Sequence, residues 1–278
     1  GTRRPGLIQL EIGVQSTNGA TIKEIHRTMQ LERLKEVVKE VQKHENIHEH
    51  LDLIAGLPFE DYDTFAKSFD EIYELRPNQL QLGFLKVLKG SYMYEHAQEY
   101  GLVYRSRPPY EVMASKWVSY DEMLEIRLVE EMLELHYNSG QFLTYLAVLE
   151  WKYDSTFQMF LDMGHFYREH GYLDCSHSRV RRTEIVQEFA EIVDPERRDI
   201  YREALIFDLY KIEKSKSRPF WAKNVQQDKR QTGKYLREHG MEKKYCHFEY
   251  FEHINEKGEI TEEKDPLWLL FDYENRDS

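Results

Sequence analysis

The chain has 278 residues, 41% apolar and 32% charged, which is enough for one large domain or two ordinary ones with a sizeable core. Its 13% aromatic content excludes a disordered chain, and no apolar run approaches the roughly 20 residues of a membrane-spanning helix. With 38 basic against 50 acidic residues the net charge is −12, a poor balance for a general nucleic-acid or anionic-membrane binder, because each phosphate contact needs a local cation.

The first six residues lead straight into strand-like sequence and do not read as a signal peptide. Leu7 to Val14 is apolar and β-branched and predicts a strand. Ile22 to His44 carries Leu31, Leu34, Val37, Val38 and Val41 at helical spacing and predicts one helix. A second strand, Ile47 to Ala55, stops at Gly56-Leu-Pro58. A helix from Tyr62 to Leu75 and a third strand from Gln79 to Val87 follow. Strand and helix alternating in this way imply parallel pairing with right-handed crossovers. The texture changes after Gly90, which divides the chain into residues 1–90 and a mainly helical 91–278. Ser119 with Glu122 forms a capping box opening a helix to Tyr137, which Asn138-Ser-Gly140 ends. Phe142 to Glu169, Thr183 to Ile192 and Pro195 to Tyr210 predict further helices. Cys246 to Ile254 and Leu267 to Tyr273 predict an antiparallel pair, and Asp272 to Ser278 a frayed end. Arg179-Val-Arg-Arg182 reads as a solvated helix flank.

Within the first three strands one face is apolar and the other polar. Leu10, Ile12 and Val14 oppose Gln9, Glu11, Gly13 and Gln15; Leu51 and Leu53 oppose His48, His50 and Asp52; Leu80, Leu82 and Phe84 oppose Gln79, Gln81 and Gly83. Parallel sheets covered on both faces are instead continuously apolar. Helices outside and a polar inside is how a barrel lines a ligand cavity, and a two-layer α/β domain with one face in solvent has the same pattern. His48, His50 and Asp52 stand about 7 Å apart at each step, long for shared metal ligation, and read as cavity lining. The two cysteines, Cys175 and Cys246, exclude a disulfide scaffold and suit a reducing cytoplasm. The pairs Cys175/His177 and Cys246/His247 lack zinc spacing.

Glu11-Ile-Gly-Val-Gln-Ser16, Asp52-Leu-Ile-Ala-Gly-Leu-Pro58 and the run from Gln81 to Gly90 resemble, in order, the last three strands of a radical S-adenosylmethionine enzyme barrel. The likeness is to the coproporphyrinogen-dehydrogenase and cobalamin-dependent branches. It covers residues 7–91, and the remainder resembles the C-terminal extension of enzymes named after the anaerobic magnesium-protoporphyrin ester cyclase. The resemblance implies a partial (β/α) barrel followed by a helical domain with a small antiparallel pair. It places adenosylmethionine contacts on Gln15, Arg27 and Asp52, with a fourth contact region near Lys86. An arginine can hold a carboxylate as a fork, and Asp or Gln can take ribose hydroxyls.

The family's [4Fe–4S] cluster needs a CxxxCxxC triplet, which is absent here. The resemblance therefore implies a C-terminal piece of a cytoplasmic enzyme acting on a small molecule. The half-barrel, cluster ligands and a cobalamin-binding domain would lie upstream, and the piece alone would be inactive. The alternative is a docking or scaffold module carrying a degenerate barrel remnant. A sheet cut before its fourth strand would leave the edge of the first strand open, either to a second copy of the chain or to one of the C-terminal aromatic runs.

Overall fold

A computed structural model describes residues 7–44, 46–223, 229–255 and 257–274, so both the first six residues and the last four of the predicted frayed end lie outside the described residues. The chain divides into two compact units, Gly1–Asn138 with Ser155–His165, and Ser139–Asp154 with Phe166–Ser278.

In the first unit β1 (Ile8–Gln15), β2 (Ile47–Ala55) and β3 (Gln79–Phe84) form a parallel sheet in the order β1-β2-β3. Alternation fixes which face is covered. Leu51, Leu53 and Leu80 are fully buried, whereas Gln9, Glu11, His48 and Gln81 on the opposite face are exposed. The buried face meets α2 (Leu31–Gln42) through Val38 and α3 (Tyr62–Tyr73) through Phe65, Phe69 and Ile72. Asp61 caps α3 by accepting the Thr64 N–H at 2.9 Å. The Asn138 side chain grips β3 at both Leu80 N and Leu80 O, at 3.0 and 2.8 Å.

The helix expected over Ile22–His44 is two helices, α1 (Gly19–Glu24) and α2. His26 takes a left-handed φ of 55°, while the Arg27 and His26 N–H groups bond back to Ile22 O and Lys23 O. That pair of bonds is a Schellman stop, usually built on glycine and here on histidine. The third strand ends at Phe84, short of Val87, because Val87 bonds instead to Tyr110. Beyond it lie α4 (Tyr92–Glu95) and a two-stranded pair, β4 (Val103–Tyr104) and β5 (Val112–Ala114), none of which the residue pattern predicts. The capping box opens α5 (Tyr120–Met132) as expected.

The second unit holds α6 (Leu143–Leu149), α8 (Arg179–Val193), α9 (Arg198–Ile212) and α10 (Lys229–Glu238); α7 (Thr156–Glu169) has residues in both units. Helix α10 is not predicted by the residue pattern either. Phe142 gives α6 no side-chain cap, and buried Asp208 of α9 replaces it by accepting Thr144 N and Tyr145 N at 3.1 and 2.9 Å. Strands β6 (Cys246–Phe251) and β7 (Leu267–Asp272) pair antiparallel, packing Phe251 with Ile206, Phe207 and Tyr210. They form a sheet of their own, so the expectation that one of them covers the edge of β1 is not met. Each of the two strands pairs with the other along its length. No helix among the described residues is long and apolar enough to cross a membrane.

Candidate functional site

The polar end of the sheet is built around Gly13. The β1–β2 register slips between Gly13 and Gln15, and Gln15 itself takes a left-handed φ of 70°. Its side-chain Nε2 then donates to Asp52 Oδ2 at 3.1 Å across the strands. The Schellman stop after α1 turns the chain so that exposed Arg27 donates from Nη1 to Gly13 O at 2.7 Å. Space decides why residue 13 is glycine. A Cβ there would lie 2.5 Å from Gln15 Nε2 and 3.1 Å from Arg27 Nη1.

Gln15, Arg27 and Asp52 are thus brought together. Lys86 is not part of the group: it is exposed, its backbone bridges to Glu111, and no hydrogen bond or ion pair joins its side chain to the other three. Burial pushes the Asp52 carboxyl up from its ordinary range. The Gln15 hydrogen bond and the fields of His50 and Arg27 oppose the shift, while Glu11 adds to it. Asp52 Oδ1 is buried with no partner, and so is the neighbouring His50 Nε2. His48 is exposed, and among the described residues no cluster of three His, Cys, Asp or Glu could hold a metal.

Two arrangements carried no signal in the sequence. Glu60 follows the Gly-Leu-Pro turn, where a carboxylate reads as a solvated loop residue, yet it is buried and accepts Ser16 Oγ at 2.5 Å and Ser68 Oγ at 3.1 Å. In the second unit a cavity of about 190 Å³ lies among Arg202, Glu203, Ile206, Arg218, Trp221 and Glu249. Its acids are engaged structurally. Arg218 grips Glu249 at 2.6 and 3.2 Å, and Glu203 accepts the Glu252 and His253 N–H groups at 2.9 and 2.8 Å. The basic run at the start of α8 is also engaged, with Arg179 paired to Glu213 and Arg181 to Glu184 and Glu188.

Among solved structures the chain is similar to coproporphyrinogen III oxidase (HemN) from Escherichia coli, described as a radical SAM enzyme. The match has 26% identity and a TM-score of 0.27, over 28% of this chain and 18% of that one, so this chain spans well under two thirds of that enzyme's length. No curated protein matches. A family described as "Protein of unknown function (DUF4080)" matches residues 98–271. With more than half of its residues inside that match, the chain belongs to the DUF4080 family.

Proposed function

We propose that the first unit carries part of the S-adenosylmethionine site of a radical SAM barrel, with Gln15, Arg27 and Asp52 as its contacts. One observation supports this above the rest: three polar side chains, far apart in sequence, converge on one glycine at the end of a parallel sheet. The residues fit the nucleoside. Asp52 has one oxygen held by Gln15 and one buried oxygen without a partner, the acceptor a ribose hydroxyl requires. Arg27 spends Nη1 on Gly13 O, so Nη2 and Nε remain for a carboxylate. Bound adenosylmethionine would supply a sulfonium-linked carbon for radical chemistry. This chain's part is to hold its polar groups in place.

The residues do not fit the cluster. Cys175 is exposed, Cys246 is buried, and two thiolates cannot provide three ligands. The thiolates and the remaining barrel strands would come from outside these residues, and Lys86 is offered only as the neighbourhood of a fourth contact. Cobalamin and the cyclase branch find no support in the comparisons, so the reading stops at the radical SAM class.

The test is an NMR titration of the chain with S-adenosylmethionine. Signals of Gln15 and Gly13 should shift, and Asp52→Ala or Arg27→Ala should each weaken binding by roughly 1–3 kcal/mol, the cost of losing a hydrogen bond to a charged group. Shifts unchanged by both substitutions would overturn the assignment.

A further inference from the structure

Gln15 adopts a left-handed backbone conformation that a side chain disfavours, so its surroundings must hold it there. The segment that follows it is fastened at every residue. The Asn18 N–H donates to Ser16 Oγ at 2.9 Å, and Ser16 Oγ donates to Glu60 Oε1. The Thr17 N–H donates to Ser68 Oγ at 3.2 Å, and Ser68 Oγ donates to the same Glu60 oxygen. Asn18 Nδ2 also reaches Phe59 O at 2.7 Å, and Thr21 Oγ1 reaches Pro58 O at 2.9 Å. One buried carboxyl oxygen therefore orients two hydroxyls so that their lone pairs face two consecutive backbone N–H groups. The other oxygen, Oε2, is buried without a partner.

We infer that Glu60 is a positioning residue for Gln15: its carboxyl, acting through Ser16 and Ser68, sets the backbone of 16–18 and so the angle at which Gln15 meets Asp52. An ionised carboxyl is the stronger acceptor and tightens both hydroxyl bonds, whereas a protonated one loosens them. The charge acting on Glu60 from its own loop is Asp61; the segment after β1 and helix α3 face it with Ser16 and Ser68, which do not titrate. Burial is the main cause that raises the Glu60 carboxyl to about 7, inside the range where solution pH changes its state. Around Gln15 itself the charged neighbours are Asp52, His50, Glu11 and Arg27.

The role of Gln15 toward adenosylmethionine rests on the reading above, but the readouts need no ligand. They are the Gln15 side-chain amide and the backbone amides of Thr17 and Asn18, followed by NMR from pH 5.5 to 8.5. In the wild-type chain all three should move together with a midpoint near the Glu60 value. Glu60→Gln keeps an acceptor oxygen for the two serines while removing the titration, so the protein should melt cooperatively and all three signals should become flat. A Gln15 amide that titrates unchanged in Glu60→Gln, driven by Asp52 or His50, would overturn the inference. Thr17 and Asn18 titrating while Gln15 stays still would overturn it too, since Glu60 would then serve the loop alone. Failure of adenosylmethionine to bind would sink the site reading and leave this result standing.

Discussion

Gly13 and Glu60 make opposite demands at the site. The first needs an absent side chain, the second a charge state. Alanine at residue 13 would push its Cβ against the far ends of two flexible side chains. The fold should therefore survive with a loss of less than about 1 kcal/mol, while Gln15 and Arg27 swing away. Gly13→Ala should weaken adenosylmethionine binding about as much as Arg27→Ala, with a near-native melting temperature; unaltered binding would show that residue 13 need not be bare. Glu60 bears on stability. Its carboxyl is raised from 4.5 to about 7 in the fold, so the folded protein holds the proton more tightly than the unfolded chain. The associated stability is fully present below pH 4.5 and is lost as pH rises through about 7, up to about 3 kcal/mol. Glu60→Gln should therefore gain stability over the wild type between pH 5 and pH 8 in urea unfolding, and a pH-independent difference would refute this. Gln15 and Asp52 stand in strand segments that resemble a family motif, and Arg27 was singled out only by its spacing from them. Glu60 was not legible, because a single acid after a turn has no pattern, and only the fold buries it against Ser16 and Ser68.

Element boundaries divide along the same line. The three strands were legible from alternation, and α5 from its cap, because both signals are local. The Ser119–Glu122 box has bonds in both directions, at 2.7 and 3.3 Å, so Ser119→Ala should cost about 1 kcal/mol in urea unfolding. A change below a few tenths would mean that packing of Met123 and Ile126 alone fixes the start of α5. The break between α1 and α2 was not legible. Apolar spacing continues across it, and histidine rarely marks a left-handed stop. That break sends Arg27 back to Gly13 instead of onward along a helix. Strands β4 and β5 are two and three residues long, too short for alternation to register. Asp208 capping α6 from another helix is a tertiary event that no window of sequence contains.

At the scale of the whole chain, the open edge of the parallel sheet is the feature with the clearest consequence. β1 pairs with β2 on one side, and among the described residues no strand joins its other side. Its apolar face is only half-buried at Ile8, Leu10 and Ile12, whereas the matching Leu51 and Leu53 on β2 are fully buried. A central strand would not leave that difference, so β1 has the burial of an edge that another strand would complete. The C-terminal aromatic runs are committed to each other. A second copy of the chain is the complement that solution measurements can test directly. In the isolated chain we expect concentration-dependent self-association through β1. Opposing it are the exposed Glu11 and the net charge of −12, which repel a second copy at low salt. Sedimentation should therefore show a monomer at low micromolar concentration and a growing dimer at high micromolar concentration. Raising the salt should strengthen the dimer, and amide exchange in β1 should slow in step. A strict monomer across that range, with β1 amides exchanging at a constant rate, would show that the half-covered edge is stable in water by itself.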